Sequence, residues 1–182
     1  MKIIVMIPAY NEEKTIFSVI NEIKNNVKYA KVLVINDGST DRTLDIAKKA
    51  GADYIISNKQ NLGLAQSFKI GLEEALRLGA DIVVNTDADF QYNQKQIPKI
   101  IKPIVDGKAD IVLTNRNVLS LNHMPIGKKY GNVIATWVTR LVSGFNVKDA
   151  QSGFRAFSRE AALRLNVMSD YTYVQETIIQ AV

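Results

Sequence analysis

The sequence predicts an α/β fold with a mainly parallel central sheet flanked by helices. Three observations predict it. Short apolar runs alternate with stretches of helical periodicity, each run is too short to be a helix, and the runs end at clusters of Asn, Asp, Gly or Pro. Strands buried on both faces give such continuous apolar runs, and β-α alternation gives βαβ units.

The elements follow in order. Lys2 to Ile7 is an apolar run halted at Pro8, a buried strand. An amphipathic stretch opens at Asn11, with Ile16, Val19, Ile20 and Ile23 at helical spacing. Lys31 to Ile35 is the second strand, stopped by Asn36-Asp-Gly-Ser-Thr-Asp41. Thr43 to Ala50 reads as a helix that Gly51 can terminate. Tyr54 to Ile56 is a third strand, Leu64 to Leu78 a helix, and Asp81 to Asn85 a fourth strand before Thr86-Asp-Ala-Asp89. Ile97 to Val105 carries a helical pattern interrupted by Pro103, and Asp110 to Thr114 is a fifth strand. Beyond Gly127 the pattern changes: Tyr130 to Phe145 is a long helix whose stripe of Ile134, Trp137, Val138, Leu141 and Val142 suits core packing. The alternative for that stripe, with Lys128, Lys129 and Arg140 nearby, is docking on a lipid surface or a second subunit. Val147 to Arg159 reads as irregular or short strand. Val174 to Val182 looks like the start of a helix with no stop signal, as if a longer protein were cut here or another chain completed the unit.

Composition narrows the function classes. The 182 residues fit one domain, and 47% hydrophobic with 23% charged residues is globular rather than disordered. No repeat, low-complexity tract or linker divides the chain. With no Cys and one His, thiolate and His-rich zinc sites are excluded. The net charge of +5 is a mild excess spread along the chain, apart from Lys128-Lys129 and the Lys95, Lys99, Lys102 series, not a nucleic-acid signature; a solvated helix face is the plain reading, and attraction to anionic lipid or a phosphorylated substrate the sharper one. No run spans a membrane and no signal peptide is present, so the expectation is a cytoplasmic chain, at most peripheral at the cytoplasmic membrane face. Gly-x-Gly-x-x-Gly, Walker and nucleophile-elbow motifs are all missing. His123 reads as a surface loop residue rather than a catalyst.

In an open parallel sheet ligands bind outside the carboxyl ends of the strands. Polar groups follow all five strands: Pro8 to Glu13, Asn36 to Asp41, Ser57 to Gly63, Asp87 to Asp89, and Asn115-Arg116. One such junction means only a turn; five on one edge make a site. Asp87 and Asp89 are the sharpest pair, since residues two apart on an extended segment point the same way. Alone, Asp-x-Asp is equally a turn with a helix cap. With the other junctions, the carboxylates suit a hard Mg²⁺ or Mn²⁺ shared with a nucleotide's phosphates, and Gln91 offers a neutral oxygen.

Ile7-Pro-Ala-Tyr-Asn-Glu-Glu13, Val34-Ile-Asn-Asp-Gly-Ser-Thr-Asp-Arg-Thr43, Thr86-Asp-Ala-Asp-Phe-Gln91 and Asp149-Ala-Gln-Ser-Gly-Phe-Arg-Ala156 resemble the family 2 glycosyltransferases of GT-A fold. The likeness is greatest to the branch of dolichol-phosphate mannose synthase and related polyprenyl-phosphate sugar transferases. The resemblance implies a single GT-A domain over 1–182, with a Rossmann-like nucleotide-binding half over 1–115 and an acceptor-side half over 116–182. It also implies inverting, metal-dependent transfer from a nucleotide diphosphate-sugar to a polyprenyl phosphate.

Carried across, the donor site comprises Pro8, Ala9, Tyr10, Asn11, Glu12, Asp37, Gly38, Asp87, Ala88 and Asp89. Asp87, Asp89 and Gln91 hold the metal. Arg116 faces the diphosphate or the acceptor phosphate. Asp149, Gln151, Ser152 and Arg155 lie on the sugar and acceptor side. A hydroxyl acceptor needs a general base, for which Asp149 and Glu176 are candidates; a lipid phosphate, with a second pKa of about 6, is already a nucleophile. Asp149 is otherwise a turn cap, Arg155 a surface ion-pair partner and Glu176 structural. Asn36 departs from the family, which usually has Asp there. The alternatives are a saccharide-hydroxyl acceptor in glycan assembly, a noncatalytic nucleotide-binding module and a sugar-nucleotidyltransferase. A homodimer is a further expectation.

Overall fold

The computed structural model describes residues 1–118 and 124–181, and His123 lies outside them. Strands β1 (Ile3–Ala9), β2 (Ala30–Asn36), β3 (Tyr54–Ser57), β4 (Ile82–Asn85), β5 (Ile111–Leu113) and β6 (Arg155–Ser158) form one sheet in the order β3-β2-β1-β4-β6-β5. β1 pairs in parallel with β2 and β4, and β2 with β3. β6 runs antiparallel between β4 and β5. The sheet is therefore mainly parallel, as the alternation predicts, with one reversed strand inside it.

Helices cover both faces. On one, α1 (Ile16–Asn26) buries Ile16, Val19, Ile20 and Ile23, the four positions its period marks, with α2 (Thr43–Lys49) and α4 (Ile97–Val105) beside it. Fully burying such side chains contributes about 1.5–3 kcal/mol each. On the other, α3 (Leu64–Arg77) and α6 (Arg159–Arg164) pack with Phe68, Leu72, Phe157 and Tyr173 against Ile4, Met6, Leu33 and Ile35. The Phe68 and Tyr173 rings stack at 3.7 Å between centroids.

Three elements differ from expectation. β1 runs through Pro8, which pairs with Ile35; β4 matches β1 only up to Met6, so Pro8 has one ladder neighbour and its missing N–H is tolerated. Pro103 does not interrupt α4: the helix runs through it to Val105, giving up only the bond that a residue-103 N–H would make to the Lys99 carbonyl, and ends two residues later. α5 (Ile126–Ser143) starts before Tyr130 and ends at Gly144, which takes a left-handed φ of 73°. Its apolar stripe is not core: Ile134, Trp137, Val138, Leu141 and Val142 are all exposed, while Thr136, Thr139 and Ser143 face inward. The chain ends in a short helix, α7 (Glu176–Ile179).

This topology positions the site. Strand order reverses between β1 and β4, and at such a switch point the flanking loops diverge and leave a crevice at the carboxyl ends. Because β6 is reversed, its entry segment, Asp149 to Gly153, arrives at that same edge.

Candidate active site

A cleft of about 400 Å³ opens at the switch point, lined by Pro8 to Tyr10 and Glu12 after β1, Asp37 after β2, and Asp87 to Asp89 after β4. Asn61, Gly63, Leu64 and Ser67 complete it from the loop after β3 and the start of α3. A larger cavity of about 630 Å³ borders β5 and the last residues, but no strand junction singled out by the sequence lines it. The Asp37, Asp87 and Asp89 carboxylates make the smaller cleft the candidate site.

Asp37 is buried and saturated from one side. Its Oδ1 accepts from Asn58 Nδ2 at 2.8 Å and Leu62 N at 2.9 Å, and its Oδ2 from Gly63 N at 2.9 Å. It thus fastens the 58–63 loop to β2, while Oδ2 keeps acceptor capacity toward the cleft. Gly38 lies beneath that loop at φ 68°, where a Cβ would come within 2.4–2.7 Å of the Gln60 and Asn61 backbone; only glycine fits. Asn11 lies outside the cleft lining. Its Oδ1 accepts from Thr40 N at 2.8 Å, and its own N–H donates to Ser39 Oγ at 3.0 Å, so it ties the β1 loop to the β2 loop. It does so at φ 55°, a conformation that costs a non-glycine residue about 1–3 kcal/mol and survives where its surroundings fix it. Tyr10 projects half-exposed at the rim.

Asp87 and Asp89 share one cleft wall, and Ala88 between them is buried. Burial pushes the Asp87 carboxyl up to about 6, Asp89 adds repulsion, and Arg116 and Arg155 offset part of it. A buried carboxylate with a second carboxylate beside it is a fit for a divalent cation, which would relieve the repulsion on Asp87. Among the described residues no third His, Cys, Asp or Glu joins them, so phosphate and water oxygens would complete the shell, as Mg²⁺ prefers. The Gln91 side chain is exposed and outside the cleft lining; its backbone N–H donates to Asp89 Oδ1 at 3.0 Å. Phe90, at φ 63°, makes the sharp turn that separates them.

Behind Asp87 lies a contact that motif reading missed. A Cβ on Gly153 would stand 3.0 and 3.1 Å from the two Asp87 carboxylate oxygens and 3.1 Å from the Tyr173 hydroxyl. The Gly153 N–H donates to Tyr92 Oη at 3.0 Å, and its carbonyl accepts from Asn85 Nδ2 at 2.8 Å. Gly153 is thus the close-packed backing of the carboxylate. Ser67 was also missed: its Oγ is buried without a protein partner, and among such atoms of the described residues it alone belongs to a cleft-lining residue. Asparagine, glycine and serine in helices and turns are too common for sequence alone to flag these.

The acceptor-side residues divide. Arg116 Nε and Nη2 hold Asp149 bidentately at 2.8 and 3.0 Å, and the Asp149 side chain is only 2% exposed. Burial works to raise the Asp149 carboxyl, but the Arg116 guanidinium overrides it and keeps it below the usual carboxylate range. Ser152 is fully buried, its Oγ 2.7 Å from Thr114 Oγ1. Gln151 has a buried Nε2 without a protein partner.

Arg155 is not a surface ion-pair residue. It is fully buried and donates to the carbonyls of Ser152, Ala150 and Val174 and to Thr177 Oγ1, tying β6 to α7. Burial pulls its guanidinium down to about 10, still protonated at neutral pH. Glu176 is not brought to the cleft. Its carboxylate accepts from the Met168 and Ser169 backbone N–H groups at 2.8 and 3.1 Å, which holds the 166–169 loop.

Residues 4–165 match the model of the glycosyl transferase family 2. The chain belongs to that family. A UDP-N-acetylglucosamine–dolichyl-phosphate N-acetylglucosaminyltransferase of Methanococcus voltae is 37% identical over 92% of this chain and 72% of its own length. A dolichyl-phosphate hexose transferase of Haloferax volcanii is 35% identical over 86% of this chain and 66% of its own. Among solved structures, the glucosyl-3-phosphoglycerate synthase of Mycobacterium tuberculosis, in complex with Mn²⁺, UDP-glucose and phosphoglyceric acid, aligns with a TM-score of 0.72 at 26% identity. That alignment covers 90% of this chain and 59% of the synthase, so the family 2 chain spans about three-fifths of its solved neighbour. The mixed sheet flanked by helices is the GT-A architecture of these neighbours, as the motifs imply.

Proposed function

We propose that this chain transfers a sugar, with inversion, from a nucleoside diphosphate-sugar to a polyprenyl phosphate, using Mg²⁺ or Mn²⁺. The observation that carries this reading is the Asp87–Asp89 pair on the wall of a switch-point cleft whose other walls suit a nucleoside. Tyr10 offers an aromatic face to the base, Asp37 Oδ2 an acceptor for a base N–H, and Ser67 an unpaired hydroxyl. Bound between Asp87 and Asp89, the cation would neutralise the departing diphosphate. Arg116, half-buried beside Asp149, adds positive charge on the acceptor side; Asp149 fixes its orientation rather than acting as a base.

The state of Asp149 supports a phosphate acceptor over a sugar hydroxyl. A hydroxyl needs a free base, whereas Asp149 is committed to Arg116 and Ser152 to Thr114. A phosphate monoester is ionised at neutral pH and needs only cationic positioning. One displacement by that oxygen inverts the anomeric carbon, with no enzyme nucleophile required. The printed names of the Methanococcus and Haloferax relatives support the same acceptor class. No helix among the described residues is long and apolar enough to cross a membrane, so the lipid would be met at the surface.

The test uses labelled UDP- and GDP-sugars with a short polyprenyl phosphate and Mn²⁺. Label should move into an organic-extractable product of inverted anomeric configuration, and EDTA should stop it. Label appearing only on a water-soluble saccharide would overturn the acceptor, and retained configuration would overturn the single displacement.

A further inference from the structure

Ser67 carries a buried hydroxyl that no protein group bonds. Buried polar atoms are ordinarily paired, and an alanine there would fill nearly the same space without stranding one. The residue lines the β1–β4 cleft, where a bound molecule can supply the partner. One residue ties it to Asp37: the Gly63 N–H donates to Asp37 Oδ2 at 2.9 Å, and the Gly63 carbonyl accepts from Ser67 N at 3.0 Å. Carboxylate and hydroxyl belong to the same end of the cleft.

The two groups ask for opposite partners. Asp37 accepts from N–H donors only, and of its about four lone-pair sites three are taken: two on Oδ1, by Asn58 Nδ2 and Leu62 N, and one on Oδ2. Room for one N–H is left. Beside it α3 begins at Gly63, an N-cap with no side chain, so its first turn is uncapped and its positive end borders the cleft. That end favours an oxygen, which sets the Ser67 hydroxyl as a donor.

Nucleobases differ in this pattern. Uracil and thymine present one ring N–H between two carbonyls, an imide edge that meets both groups and leaves neither unpaired. Guanine has a ring N–H beside a carbonyl, but its amino group adds donors for which Asp37 has no site. Cytosine and adenine turn a bare nitrogen toward the carboxylate and an amino group toward the hydroxyl. We infer that Ser67 Oγ donates to a carbonyl of an imide base while Asp37 Oδ2 accepts its ring N–H, so that the cleft selects a uridine- or thymidine-type nucleotide. The inference rests on the proposed function, in that it takes the cleft as the donor nucleotide's, and it adds the base.

The test is calorimetric titration of the chain, in Mn²⁺, with UDP, dTDP, GDP and CDP. UDP or dTDP should bind about tenfold or more tightly than GDP and CDP, and the tighter of the two names the donor series. Ser67→Ala should weaken that ligand about three- to tenfold while melting no lower than wild type, because the lost hydroxyl has no protein bond. The analogues 2-thio-UDP and 4-thio-UDP, each with one carbonyl oxygen replaced by sulfur, a weaker acceptor, locate the bond. One of them should bind wild type more weakly than UDP does, and bind Ser67→Ala as well as UDP does.

GDP or CDP bound as tightly as UDP and dTDP would overturn the inference and leave the donor cleft standing. So would Ser67→Ala with unchanged affinity, or with a lower melting temperature and an equal loss for every nucleotide, since the serine would then serve packing alone. A folded chain that binds none of the four would overturn the proposed function along with the inference.

Discussion

Replacing Asp87 with Asn should make the protein more stable and less functional. The Asp87 carboxyl is pushed up to about 6 by burial and by Asp89. In the unfolded chain the same group ionises near 3.9, so the folded state holds the extra proton between about pH 4 and 6. Ionising Asp87 therefore costs stability that is present below about pH 4 and lost as pH rises through about 6. The difference between the two values corresponds to about 3 kcal/mol, and since Asp87 keeps some exposure on the cleft, about 1–3 kcal/mol should be recovered in the variant at pH 7.5. At about 2–4 °C per kcal/mol for a chain of this size, the melting temperature of Asp87→Asn should exceed wild type by several degrees at pH 7.5 and match it at pH 4. Thermal melts followed by circular dichroism at the two pH values read this directly. A variant less stable at pH 7.5, or one whose advantage is the same at both pH values, would refute the reasoning.

Three further outcomes follow from the same contacts. Gly153→Ala forces a methyl to 3.0–3.1 Å from the Asp87 carboxylate and Tyr173, and should cost about 1–3 kcal/mol in urea unfolding while weakening Mn²⁺-dependent nucleotide binding. Asp149→Ala strands the partly buried Arg116 charge and should destabilise by about 3–5 kcal/mol, whereas Arg42→Ala, which breaks the exposed pair with Glu13, should stay within about 1 kcal/mol. Ile20→Ala removes a fully buried side chain from α1 and should cost about 2–5 kcal/mol without changing nucleotide affinity, as paired unfolding and calorimetric measurements would show.

The first half of the fold was legible because each signal there is local. Ile16, Val19, Ile20 and Ile23 carry their period in their own spacing, and the apolar runs of β1, β2 and β4 declare strands buried on both sides. The donor cleft followed from those strands, because a parallel sheet gathers its carboxyl-end loops without regard to distance in the chain. What escaped is non-local. Nothing in Arg155 to Ser158 says that β6 inserts antiparallel between β4 and β5, and so nothing announced that Gly153 backs Asp87. The Arg155 guanidinium reads as a surface charge until the Ser152, Ala150 and Val174 carbonyls are seen to enclose it. In α5 the period was visible but its sense was not: an apolar stripe marks a face without saying whether protein or another medium covers it.

The central claim is that the β1–β4 cleft is a metal-dependent nucleotide diphosphate site. Calorimetric titration of the chain with UDP and with GDP, in Mn²⁺ and then in EDTA, tests it most directly. The account predicts micromolar, Mn²⁺-dependent binding of one of the two nucleotides, abolished by Asp89→Ala in a protein that still melts cooperatively. A folded chain that binds neither nucleotide, or that binds one equally well in EDTA and in the Asp89→Ala variant, would contradict it.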